Sequence, residues 1–95
     1  MKYDTEEVRR VAQQIKVNAQ KIHDLERDAL QPIARSIPQE LRGRTADALL
    51  AEVSELTVAM RRLSIDVSSI GDELNSFARR LDVADQQAAD AVKEQ

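Results

Sequence analysis

Between Leu49 and Ala88 the apolar residues recur at alternating steps of four and three: Leu49, Val53, Leu56, Met60, Leu63, Val67, Ile70, Leu74, Phe77, Leu81, Ala84 and Ala88. A strand puts every second residue on one face and does not generate this series. A helix with a heptad repeat lays it down as one continuous stripe. One edge of the stripe carries Thr57, Ser64, Gly71 and Ala78, side chains small enough for another helix to come close. Such a helix is incomplete until a second helix covers it.

Nearer the N-terminus, Val8, Ala12, Ile15, Ala19 and Ile22 repeat the same spacing, which falters at Glu26. Leu25, Ala29, Leu30, Ile33 and Ile37 then continue a broader apolar face. Asp4 can cap a helix start, with Glu7 three residues on as a capping box requires, so the first helix is expected to begin at Asp4 or Thr5. Pro32 removes a backbone donor and predicts a kink near Gln31, with helix continuing to about Ser36. Pro38 is expected to stop it and Gly43 to supply permissive backbone, making residues 36–44 the break. The second helix is expected to start near Thr45 and run to about Ala91. Gly71, beside Ser68 and Ser69, marks either a bend or a close helix contact.

The expectation is an all-α fold of one domain, 1–95: an antiparallel two-helix hairpin of about 5–36 and 45–91, assembling into a dimeric four-helix bundle. With the turn centred near Leu41, residue 5 lies level with about residue 77, which puts Leu81, Ala84 and Ala88 beyond the first helix, open to a partner. Val58 and Ile65, extended by Ala51, form a second apolar row on the opposite face and complete the expected interface.

Composition narrows the function further. Of 95 residues, 2% are aromatic and 33% charged, and the net charge of −3 gives no reason to expect nucleic acid. Arg61-Arg62 and Arg79-Arg80 lie among acids without flanking stacking aromatics and read as solvated helix faces. The chain has no cysteine, which excludes disulfides and cysteine-based zinc sites. No run is apolar enough to span a bilayer, and Met1 to Glu7 lacks the apolar core of a signal peptide. Candidate chemistry is thin. The single histidine, His23, reads as solvent-exposed, Tyr3 as surface and Phe77 as core. Glu26 reads as a register break at a kink in preference to a buried group that fixes pairing. No nucleophile–base pair, metal cluster or phosphate loop can be assembled, so no cofactor and no enzyme activity are expected.

The link reads Leu41-Arg42-Gly43-Arg44-Thr45-Ala46-Asp47-Ala48-Leu49. It resembles the turn of the WXG family, the ESAT-like helical hairpins of type VII secretion, with Leu41-Arg42-Gly43 at the Trp-X-Gly position. Ala46 and Ala48 stand for the small residues that open the family's second helix, and Leu49 for the bulky one. The family's tail element, Tyr-X-X-X-Asp/Glu, is matched by Leu81 to Asp85 with the acid but not the tyrosine. The resemblance implies a protein made in the cytoplasm and exported without a cleaved signal peptide. Its implied partners are a second copy, another hairpin or a larger type VII effector, together with a secretion ATPase. Within it, an exported substrate and an escort for a larger effector both stand. Outside it, the chain reads as a cytoplasmic structural coiled-coil assembly module. A membrane-surface role is disfavoured because the polar face lacks a basic excess.

Overall fold

The computed structural model describes residues 3–94; Met1, Lys2 and Gln95, which fall within the expected domain and its N-terminal stretch, lie outside the described residues. Every element among the described residues is helical: α1 (Thr5–Leu25), a π-helical turn (Glu26–Leu30), α2 (Gln31–Glu40) and α3 (Gly43–Glu94). The first three run on as one arm, which folds back along α3. The result is a rod of 79 × 16 × 13 Å, two helices wide and one helix thick.

Asp4 caps α1 by accepting from the Glu7 N–H at 3.0 Å, and Glu6 and Glu7 sit at the positive end of the helix dipole. The faltering at Glu26 has a specific form. Counting inward-facing positions, the step from Glu26 to Leu30 is one residue too long for the heptad. A π-helical turn absorbs the extra residue, with the Gln31 N–H bonding back to the Glu26 carbonyl. The wider turn also makes room for the ring of Pro32, which would otherwise crowd the carbonyl four residues back. Instead of a kink followed by an early stop, the arm continues through Pro32 and Pro38 to Glu40. The break expected over residues 36–44 is only Leu41 and Arg42, and α3 starts at Gly43 and runs past Ala91 to Glu94.

Leu41 is extended (φ −127°, ψ 155°) and Gly43 is left-handed (φ +72°). Glycine at residue 43 answers to backbone conformation, because nothing stands within 4 Å of where its Cβ would be. The turn end is filled by Ile37 packed with Ala46 and Val53, with Ala34 and Leu50 against them. Leu41 remains exposed and does not plug the hairpin. The pairing is displaced from the expected level. Arg9 meets Asp82, and the Tyr3 N–H donates to Asp85 at 3.1 Å. Leu81 is therefore half-buried and level with the first arm, not beyond it; the overhang is residues 86–94, which includes Ala88 but not Ala84.

The two internal glycines make different predictions for urea unfolding. Gly43→Ala should cost about 1–2 kcal/mol through its backbone alone. Gly71→Ala should cost about 1 kcal/mol net despite the regained helix propensity, because its Cβ would stand 2.6 Å from Lys16 Cγ and 3.1 Å from the Ala12 carbonyl oxygen, and Gly71→Leu should cost more.

Candidate pairing face

Where the first arm docks on α3 decides what the molecule can do. Beyond the turn-end cluster, and Glu26 apart, the buried residues along the contact are small: Ala12 and Ala19 on α1, Ser64 and Ala78 on α3, with Gly71 between them. At Gly71 the helices are so close that a Cβ would sit 3.1 Å from the Ala12 carbonyl oxygen and 2.6 Å from Lys16 Cγ. The small edge of the stripe, not its centre, is the contact line. Helix spacing follows the side chains at the contact, so the close approach pushes the larger side chains outward.

The row at seven-residue spacing, Leu49, Leu56, Leu63, Ile70 and Phe77, is therefore left uncovered by its own chain. Leu63 is 50% exposed, and Phe77 is 44% exposed with the Arg80 guanidinium 5.9 Å from its ring centroid. The expectation that Phe77 is core, and that the Leu49–Ala88 seam is what the hairpin buries, is corrected. Only alternate members are covered: Val53 is buried, and Met60, Val67, Leu74 and Leu81 are half-buried.

Helix geometry puts the bare row on one broad side of the rod. In each arm the exposed apolar residue immediately precedes a contact-line residue: Val11 before Ala12, Leu25 before Glu26, and on α3 Leu63 before Ser64, Ile70 before Gly71, Phe77 before Ala78. In an antiparallel pair these offsets fall on the same face. The π-turn keeps Ile33 on it too, one residue before Ala34. The other face carries the cross-arm ion pairs, Arg9 with Asp82 and Lys16 with Asp72. The hydrogen bond to Asp82 pushes the Arg9 guanidinium pKa further up, so that residue stays charged. Val58 and Ile65 are exposed as the interface reading requires, but they stand on this ion-paired side. Ala84 and Ala88 are exposed, and Leu81 is half-buried.

Glu26 is the largest fully buried side chain, 1% exposed, at the start of the π-turn. Its carboxylate accepts from Arg61 at 3.2 Å and from Gln31 at 3.3 Å. The kink reading anticipated the register break but not the burial; both occur at this residue. The signal was present in the sequence as a charged residue at an inward position of a heptad.

The remaining candidates do not converge. His23 is exposed, Tyr3 lies at the rod's far end, and Leu41, Arg42 and Gly43 are exposed at the turn. Asp85 is half-buried and taken up by the Tyr3 N–H. Among the described residues no group of three or more histidines or carboxylates is placed to hold a metal, and no helix is long and apolar enough to cross a membrane. No family model matches the sequence, and no curated protein or solved structure matches it.

The buried carboxylate makes an asymmetric prediction. Arg61→Ala should cost about 1–3 kcal/mol in urea unfolding, because it leaves Glu26 buried with one neutral partner. Glu26→Leu should be neutral or stabilising, because Arg61 is half-exposed and returns to water.

Proposed function

We propose that this chain acts by helix pairing: a WXG-like hairpin that offers its apolar face to a second helical hairpin and completes a four-helix bundle, as a substrate or escort of type VII secretion. The observation behind this reading is the bare row from Leu49 to Phe77, continued on the first arm by Val11, Leu25 and Ile33. Together these side chains expose on the order of 700 Å², more than the largest apolar patch of a typical monomer and close to one partner's share of a standard interface. A two-helix rod has no third layer to cover that area, whereas a second hairpin laid on the face does. The role needs no catalytic step and no cofactor.

The secretion context is supported by the resemblance of Leu41-Arg42-Gly43 and the helix that follows, and by the central turn between unequal arms. In this reading the chain is made in the cytoplasm and leaves without a cleaved signal peptide, with a secretion ATPase as further partner. One observation favours the alternative of a cytoplasmic assembly module. Asp85, the acid of the tail element, accepts from the Tyr3 N–H, and Asp82 inside the element pairs with Arg9, which draws that element into the paired region.

Two measurements test these readings. A photo-crosslinking residue at Leu56 in cells should give a discrete adduct with a helical protein, and Leu63→Asp should remove it while circular dichroism stays helical; no adduct at Leu56 would end the pairing reading. The chain should be found in culture medium only when the secretion ATPase is intact; retention in the cytoplasm with pairing preserved would favour the assembly module.

A further inference from the structure

We infer that Asn18 selects the helix that covers the apolar face: the partner's own apolar row is broken once, by a side-chain amide or hydroxyl that meets Asn18. The inference rests on the pairing reading and names the chemistry of the partner at one position. On α1 the row that precedes the contact line reads Val11, Asn18 and Leu25 at seven-residue spacing. Asn18 therefore stands on the apolar face, one residue before Ala19, as Val11 stands before Ala12. The ion pair of Lys16 with Asp72 gives the level across the rod. Counted antiparallel from that pair, Val11 lies opposite Phe77, Asn18 opposite Ile70 and Leu25 opposite Leu63. Between the two rows lie the half-buried Ile15 and Ile22 of α1 and Val67 and Leu74 of α3. Asn18 is the one polar side chain in these layers. It is exposed, and among the described residues its amide makes no hydrogen bond, not even to Gln14 one turn back on the outer edge.

In the free hairpin water satisfies that amide. A helix laid over the face removes the water, and the layers on either side offer only hydrocarbon. An unbroken apolar row on the partner would leave the amide buried and unpaired, whereas an asparagine, glutamine, serine or threonine at the facing position restores its hydrogen bonds. One polar position in a helix seam fixes register and partner at some cost in affinity. The α3 row carries no such marker: it is apolar from Leu49 to Phe77 and accepts a leucine row at any seven-residue step. Asn18 distinguishes one step from the next, and an unbroken row from an interrupted one.

The test uses the purified chain and two synthetic helices of about five heptads, one with an unbroken leucine row and one with asparagine at the central row position. Fluorescence anisotropy reads affinity, with sedimentation velocity on the chain alone. The asparagine helix should bind about tenfold more tightly than the leucine helix. Asn18→Leu should reverse that preference, and the variant should stay helical, since leucine is the better helix former and the site is exposed in the free chain. Should the chain pair with itself, tagged copies of the unmodified chain and of Asn18→Leu should sort into like pairs. Equal affinity for both helices, tighter binding of the leucine helix to the unmodified chain, or free mixing of the two chains would overturn the role of Asn18 and leave the pairing face standing. Binding of neither helix, with no self-association, would overturn the pairing face itself and this inference with it.

Discussion

The close approach of α1 to α3 along Ala12, Ala19, Ser64, Gly71 and Ala78 sets the rest of the structure. Small side chains let two backbones come near, which gains dispersion contacts along the rod but leaves no room at Gly71 for a larger side chain. A hairpin of this kind buries little apolar area for its length. The row Leu49, Leu56, Leu63, Ile70 and Phe77 is set outward on one side by the same contact that holds the arms together. Internal pairing and outward stickiness are consequences of one packing choice.

The first arm shows how that choice is kept over a long contact. Past Ile22 the arm would lose its inward register by one residue, and the π-turn restores it, so that Ala34 and Ile37 face α3 while Ile33 stays on the apolar side. At the start of that turn sits Glu26, buried with Arg61 reaching across from α3. A carboxylate in a contact whose other members are apolar or small has one favourable alignment, the one that brings it to Arg61 and Gln31. Sliding either arm by a turn would strand it without partners. Alanine lines alone would tolerate such a slide, so this polar contact gives the hairpin its register.

Much of the architecture could be read from periodicity. The heptads on both sides of the turn, the Asp4 cap and the permissive Gly43 follow from local chemistry, and the small residues at Thr57, Ser64, Gly71 and Ala78 already marked a line of close approach. What periodicity does not disclose is which edge of a broad stripe meets the chain's own partner helix. Both edges have the same repeat; they differ only in side-chain size, and the smaller edge wins because it permits the tighter contact. That is why Phe77 and Leu63 are exposed where an inward seam was expected. The pairing level differs from the expected one for a related reason. Proline was expected to end the arm, but a π-turn before Pro32 and a position in the last turn for Pro38 let the helix run on to Glu40. The reversal moved with it, and Leu81 came under the first arm.

On this account the isolated hairpin turns the small edge of α3, Ser64, Gly71 and Ala78, inward and leaves the row Leu56, Leu63 and Ile70 outward. The chain has no cysteine, so single thiols can be introduced one at a time and their labelling rates compared under native conditions. Leu56→Cys, Leu63→Cys and Ile70→Cys should react at close to the rate of an unfolded thiol, and Ser64→Cys and Ala78→Cys far more slowly. Slow labelling at Leu56, Leu63 and Ile70 with fast labelling at Ser64 and Ala78 would contradict the account, because the leucine row would then be what the chain buries.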